Sequence, residues 1–277
     1  MSLAAFGIVV FAALLHAAWN AIVKGASDTT LTTILVTLGA GAFAIVALPF
    51  LTQPAPASWG FLAVAAILQV VYFSLVAAAY GAADMSQAYP LMRGFAPLIV
   101  ASVGTVVIGE HPTPIAWAGI GLISAGVLSL ALRGRLSNGR GIAFALANAV
   151  VIATYTLVDG TGARLSGSPA GYTLWLSLLT AIPFLVYVLV RRREAFFAYA
   201  RTNWWLGAAG GVATVTSYGL ALWAMTEAPI ALVAALRETS ILFGTLIAFF
   251  ILREKIDAPR LVATLIIASG AIVLRLA

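Results

Sequence analysis

From Arg93 to Glu110 the chain reads RGFAPLIVASVGTVVIGE, and from Arg237 to Glu254 it reads RETSILFGTLIAFFILRE. The two stretches share one register: 237 − 93 = 144 and 254 − 110 = 144. Val71/Val215, Ala77/Ala221, Leu98/Leu242, Ile123/Ile267 and Gly126/Gly270 fall on the same offset, without a gap. Apolar matches arise cheaply by chance in so apolar a chain. A repeated arginine within an apolar run and a repeated glutamate at its end do not. The chain is therefore an internal duplication, and the stretches around Arg93 and Arg237 are equivalent parts of its two halves.

Working outward from these stretches, the apolar runs are long and charges sit between them. The reading places ten spans near 3–23, 31–51, 60–80, 85–108, 114–132, 141–158, 170–190, 204–224, 228–252 and 259–276. Each approaches the roughly 20 residues that a helix needs to cross a bilayer core. The runs are continuous rather than alternating, which argues against a membrane barrel. The expected fold is an all-α membrane protein with ten transmembrane helices, arranged as two inverted five-helix repeats over 1–134 and 135–277. Inversion follows from arithmetic: five spans is an odd number, so the second half enters from the opposite side, and inverted repeats of this kind place a site between the halves near the midplane.

Composition supports lipid as the solvent. Hydrophobic residues make up 62% of the 277 and charged residues 9%, against roughly a quarter charged in a soluble domain; the mean hydropathy is +1.06. The net charge of +6 does not indicate nucleic acid, because the basic residues lie between apolar runs and form no patch with interleaved aromatics. There is no cysteine, so disulfides and thiolate metal sites are excluded. Met1 to Val23 has no charged side chain. It lacks the basic n-region of a secretory signal and reads as a retained first span. Gly, Ala, Ser and Thr recur within the spans, as at 39–42 and 207–211, and such residues let helices approach closely in lipid. Pro90, Pro97 and Pro183 lie inside spans, where each removes a backbone hydrogen bond and can kink its helix.

Further motifs accompany the repeat. Gly109-Glu110 precedes a span with Ser124-Ala125-Gly126, and Arg253-Glu254-Lys255 precedes one with Ala268-Ser269-Gly270. His16-Ala17-Ala18-Trp19-Asn20 lies on span one and Tyr89-Pro90-Leu91-Met92-Arg93-Gly94 on span four. With these residues the chain resembles, over nearly its whole length, a ten-helix EamA-type member of the drug/metabolite transporter superfamily. The resemblance implies a multi-pass inner-membrane exporter of amino acids, related metabolites or drugs. Cation-drug exporters of that superfamily carry an acidic residue in the middle of span one. This chain has none there, which favours an anionic or zwitterionic substrate.

Cytoplasmic loops carry excess Lys and Arg. The loops after odd-numbered spans and their flanks hold Lys24, Arg133, Arg135, Arg140, Arg191, Arg192, Arg193, Arg201, Arg253, Lys255 and Arg260. The opposite side holds Arg164 and Arg275. Eleven against two places the odd loops in the cytoplasm and both termini outside.

Arg93 and Arg237 are the sharpest chemical features. A charge at mid-depth costs roughly +2.5 to +3.5 kcal/mol on insertion scales, so such a residue faces a cavity or a partner. A guanidinium fork suits a carboxylate, and Arg93 is the expected holder of the substrate's anionic group. The alternatives are that Arg93 caps a helix broken at Pro90 or pairs with Glu238. Arg237 and Glu238, about 100° apart around a helix, need not pair with each other. His16, Trp19 and Asn20 share one face of span one, and His16 is a group able to titrate near neutral pH. Tyr89 lies one turn before Arg93. Asn148 and Tyr155 align on span six. These residues — His16, Trp19, Asn20, Tyr89, Arg93, Tyr155 and Arg237 — are the expected substrate-binding set. Tyr80, Trp175 and Trp223 suit either a ring-bearing substrate or an interfacial belt. Glu110 and Glu254 read as helix-end residues at tight reversals rather than as proton carriers, and Asp84 and Asp159 as residues near span ends.

No P-loop and no Gly-x-Ser-x-Gly elbow is present, and two histidines cannot build a multi-His metal site. No catalytic residue, metal or cofactor is expected. The rival class, a membrane-embedded enzyme acting on a lipid or isoprenoid, would show clustered Asp, Glu or His and a long catalytic loop, and the chain has neither. The expected partners are a small-molecule substrate and the lipid bilayer, with proton coupling left open. No nucleic acid is expected. The sequence fixes no oligomeric state, and a monomer suffices.

Overall fold

The computed structural model describes residues 1–132, 139–251, 253 and 257–277. The expectations attached to Arg133, Arg135, Glu254 and Lys255 lie outside these residues. The elements are α1 (Leu3–Gly25), α2 (Thr29–Ala47), α3 (Trp59–Ala82), α4 (Met85–Val107), α5 (Pro114–Ala131), α6 (Gly139–Ser166), α7 (Pro169–Arg191), α8 (Arg193–Glu227), α9 (Ile230–Arg237), α10 (Ser240–Phe250) and α11 (Ala258–Leu276), with two 3₁₀ turns between α2 and α3. The described residues contain no strand.

Short polar side chains set several helix starts by satisfying first-turn amides that have no partner within the helix. Ser2 accepts from the Ala5 amide at 3.1 Å, Asp28 from Leu31 at 2.9 Å and Thr113 from Ala116 at 3.2 Å. Ser168 accepts from Gly171 at 3.2 Å and Asp257 from Arg260 at 3.1 Å. The apolar runs then carry the helices across. Nine spans among the described residues are long and apolar enough to cross a membrane, with α9 and α10 together forming one. The tenth, α8, is diluted by Gly207, Gly210, Gly211, Ser217 and Tyr218, and packs on α1 and α2.

Three spans depart from expectation. Helix α6 runs to Ser166 rather than ending at 158, so Asp159 is inside a helix and fully buried. Helix α8 begins at Arg193, eleven residues before the expected start at 204. The ninth span is interrupted at Glu238 and Thr239, whereas its counterpart α4 passes Pro90 and Pro97 unbroken. At the interruption the backbone tightens to three-residue bonds. Glu238 N donates to Ala235 O and Thr239 N to Leu236 O, both at 3.0 Å. The Thr239 hydroxyl also donates to Leu236 O, at 2.6 Å. A mid-helix stretch of this kind marks a hinge or a functional position.

Much of the packing follows a two-fold exchange of the halves, although α2 packs more extensively on α8 than α3 does on α7. Helix α5 lies on α11 and α2 on α7. The α3–α6 contact is matched by α8–α1, and α4–α6 by α1 with α9 and α10. Every one of these pairs maps onto itself or onto another under the exchange of halves. The 144-residue register reappears atom by atom: a Cβ on Gly126 would lie 2.7 Å from Ile267 Cγ1, and one on Gly270 would lie 2.7 Å from Ile123 Cγ1. Reciprocal contacts of this form are the mark of an isologous interface, here between two halves of one chain.

Candidate functional site

Arg93 and Arg237 sit 8 and 7 residues into their spans, about 10–12 Å from the span ends at 1.5 Å per residue. Within a hydrocarbon core about 30 Å thick this is well below either surface. Both are buried, at 6% and 9% exposure. Their situations differ. Arg93 Nε donates to Glu238 Oε2 at 3.0 Å, and a terminal nitrogen lies 2.8 Å from Glu238 Oε1. This two-point fork between guanidinium and carboxylate ties α4 of the first half to the interruption in span nine of the second. Of the two alternatives to a substrate role for Arg93, this is the pair with Glu238; α4 is continuous at Pro90, so there is no broken helix there for Arg93 to cap. Arg237 has no ion-pair or hydrogen-bond partner among the described residues. Its guanidinium carbon rests 4.9 Å from the centre of the Tyr218 ring, a cation–π contact.

Tyr218 reaches further. Its hydroxyl donates to Asp159 Oδ2 at 2.5 Å, while the Tyr172 hydroxyl donates to Oδ1 at 3.0 Å. Helices α6, α7 and α8 thus meet on one carboxylate that touches no cation among the described residues. Four charges occupy the seam: one pair in contact, Arg93–Glu238, and one pair held apart by an aromatic ring, Arg237 and Asp159.

Several expected residues converge on these charges. The His16 ring lies within electrostatic reach of both guanidiniums. Tyr89 and Tyr155 lie within reach of Arg93, together with Tyr72, which sequence reasoning overlooked. Tyr72 meets Tyr155 edge to face at 5.8 Å, and Tyr80 packs into the same cluster. Trp19 and Asn20 are joined to the site through His16. The Trp19 indole donates to His16 Nδ1 at 3.3 Å and the Asn20 amide to His16 O at 2.7 Å. Asn148 is fully buried, its amide 2.9 Å from Met92 Sδ and its carbonyl oxygen without a partner among the described residues.

Two aromatic candidates lie elsewhere. Trp175 donates to Gln53 at 2.8 Å and meets Trp59 edge to face, the ring centres 4.9 Å apart. Trp223 lines an apolar cavity of about 580 Å³ between α2, α7 and α8. Sequence reading also missed Tyr218, Tyr172 and the role of Asp159. The available signal was an acidic residue directly after the apolar run of span six, at Leu157-Val158-Asp159.

Glu110 does more than end a helix. Oε1 accepts from Arg164 at 2.6 Å and from the Ile230 amide at 2.9 Å, and Oε2 from Ala231 at 3.5 Å. Arg164 also donates to the Met225 carbonyl at 2.7 Å and the Ala228 carbonyl at 2.9 Å. A carboxylate of the first half therefore caps α9 of the second, where the helix dipole favours negative charge. Among the described residues no group of three or more His, Asp or Glu side chains is placed to hold a metal ion.

Ten spans in two exchangeable halves, with arginines converging on a charged seam, define a class: polytopic helical carriers built on an inverted repeat. The chain belongs to the EamA-like transporter family, whose model matches residues 2–132 and again 139–276, once per repeat. A solved structure described only as "Crystal structure of protein" matches with a TM-score of 0.74 over 99% of this chain and 98% of that one, at 22% identity, a likeness of fold. No curated protein sequence matches the chain.

Proposed function

We propose that this transporter is a secondary carrier of the cell inner membrane that exports small zwitterionic or anionic metabolites, amino acids or their relatives, by alternating access at a cavity between the repeats. His16, Trp19, Asn20, Tyr89, Arg93, Tyr155 and Arg237 supply its walls. One observation carries the reading: a buried guanidinium, Arg237, stands without a charge partner among the described residues, beside an Arg93 that has one. Keeping such a group inside a membrane is costly, and the cost is offset when a substrate carboxylate completes the pair. Zwitterions fit the balanced charge of the seam better than cations do. The interruption at Glu238–Thr239 follows Arg237 directly and reaches Arg93 through Glu238, which supports a hinge in span nine beside the charges a substrate would meet.

The test is counterflow in proteoliposomes, with labelled L-phenylalanine, L-threonine and L-glutamate and with phenylacetate, each with and without a pH gradient. Saturable exchange of at least one of these above protein-free vesicles is expected. Exchange of none would sink the assignment, and a gradient-dependent rate would add proton coupling to it.

A further inference from the structure

The sequence points to Arg93 as the holder of the substrate's anionic group, with Arg237 beside it in the cavity wall, but the Arg93 guanidinium is engaged by Glu238 while that of Arg237 is not. We propose that Arg237 alone receives the substrate's carboxylate, and that Tyr218 and Asp159 are positioning residues that keep it free to do so. This rests on the transport reading and names the recognition group within it.

The reasoning begins with what Arg237 lacks. Two carboxylates lie within electrostatic reach of it, Glu238 and Asp159, and neither contacts it. Glu238 spends both oxygens on Arg93. Asp159 spends one oxygen on Tyr172 and the other on Tyr218. The Tyr218 ring is also the surface on which the Arg237 guanidinium rests. One side chain thus holds the cation on its face and the anion on its hydroxyl. It is a spacer between two opposite charges that would otherwise collapse into a buried ion pair, and a guanidinium consumed by such a pair has no fork left for a ligand. Tyr172, packed fully in the core, fixes the Asp159 carboxylate from its other side. Arg93 and Glu238 then act as a strut across the halves.

Purified full-length protein in detergent would be tested by thermal unfolding, because a ligand that binds the folded state raises the midpoint according to its affinity. The probes are L-phenylalanine, L-threonine and L-glutamate, each beside its α-amide, and phenylacetate beside phenylacetamide. The expected result is stabilisation by at least one carboxylate and by none of the matching amides. Arg237→Gln should abolish that difference, and Arg237→Lys, a charge without the planar fork, should keep a weakened one.

Tyr218→Phe should weaken carboxylate affinity about tenfold, equivalent to about 1.4 kcal/mol, because Asp159 is freed to pair with Arg237. Adding Asp159→Asn to Tyr218→Phe should restore most of the loss. In counterflow, the same pattern should appear in KM while the maximal rate changes little. A purely structural role for Tyr218 would not be rescued by removing a second side chain.

The inference is overturned if no carboxylate stabilises the parent protein, if folded Arg237→Gln still prefers carboxylates over amides, or if the double variant is as weak as Tyr218→Phe. Stabilisation by phenylacetate alone, lost in Arg237→Gln, would uphold Arg237 as the receptor while removing amino acids as the substrate class.

Discussion

At the scale of single residues, the seam is governed by which charges touch. Arg93 and Glu238 are both more than nine-tenths buried and meet at two points. Removing one partner leaves the other uncompensated, and in buried pairs this costs about 3–5 kcal/mol, whereas removing both costs far less. Arg93→Gln and Glu238→Gln should each lower the unfolding midpoint sharply, and the double substitution should recover much of it. A double-mutant cycle by thermal melting measures this; additive losses would show that the two do not act as a pair. The Glu110 cluster follows the same logic. Glu110→Ala strips a partner from Arg164 and a cap from α9, with an expected cost of about 1–3 kcal/mol. Glu110→Gln, which can still accept from the Ile230 amide, should cost less.

Among the elements, α5 and α11 form the plainest record of the duplication. Backbones approach there because Gly119, Gly126 and Gly270 have no side chain to interpose. The contact is reciprocal, so equal insults should cost equal amounts. Gly126→Val and Gly270→Val should each destabilise by about 1–3 kcal/mol, the usual penalty for overpacking, and by the same amount within measurement. A silent substitution at either site beside a damaging one at the other would refute the reciprocal contact. The broken ninth span is the main asymmetry between the halves. Its counterpart α4 contains two prolines yet stays continuous, while span nine has no proline within its helices and breaks. Proline removes one donor at a time, and the neighbouring turns hold the helix. At 237–239 two adjacent charges are drawn to different partners, and the Thr239 hydroxyl takes up the Leu236 carbonyl left by the tightened turn.

For the molecule as a whole, the exchange of halves and the odd number of spans per half make the topology inverted. Orientation comes from the basic residues, which gather at the ends of odd-numbered spans. We expect both termini and the Glu110–Arg164 cluster to face away from the cytoplasm. The chain has no cysteine, so single cysteines introduced at Ser2, Ser168 and Arg192 report without background. Ser168 is a buried helix cap, so the exposed Ser2 and Arg192 decide: in intact cells an impermeant maleimide should label the cysteine at 2 and spare that at 192, and the opposite pattern would invert the orientation.

The span count, the duplication and the arginines that matter were open to a reader of the chain alone. Each depends on properties that survive without coordinates: a stretch of apolar residues long enough to cross lipid, a charge too costly to place there idly, and a register repeated between equivalent positions. Helix ends and partners were not. Asp159-Gly160-Thr161-Gly162 has the composition of a turn, yet the helix continues to Ser166, because the glycines serve close packing. A Cβ on Gly160 would meet Ile230 at 2.6 Å and one on Gly162 the Tyr172 hydroxyl at 2.5 Å. Glu238 stands beside Arg237 in sequence, and its pairing with Arg93, 145 residues away, was only one of several readings the chain allowed. Tyr218 meets Asp159 from 59 residues away. Electrostatic pairing depends on distance in space, and only the packing of the two halves decides which of the two arginines is left without an ion-pair partner among the described residues.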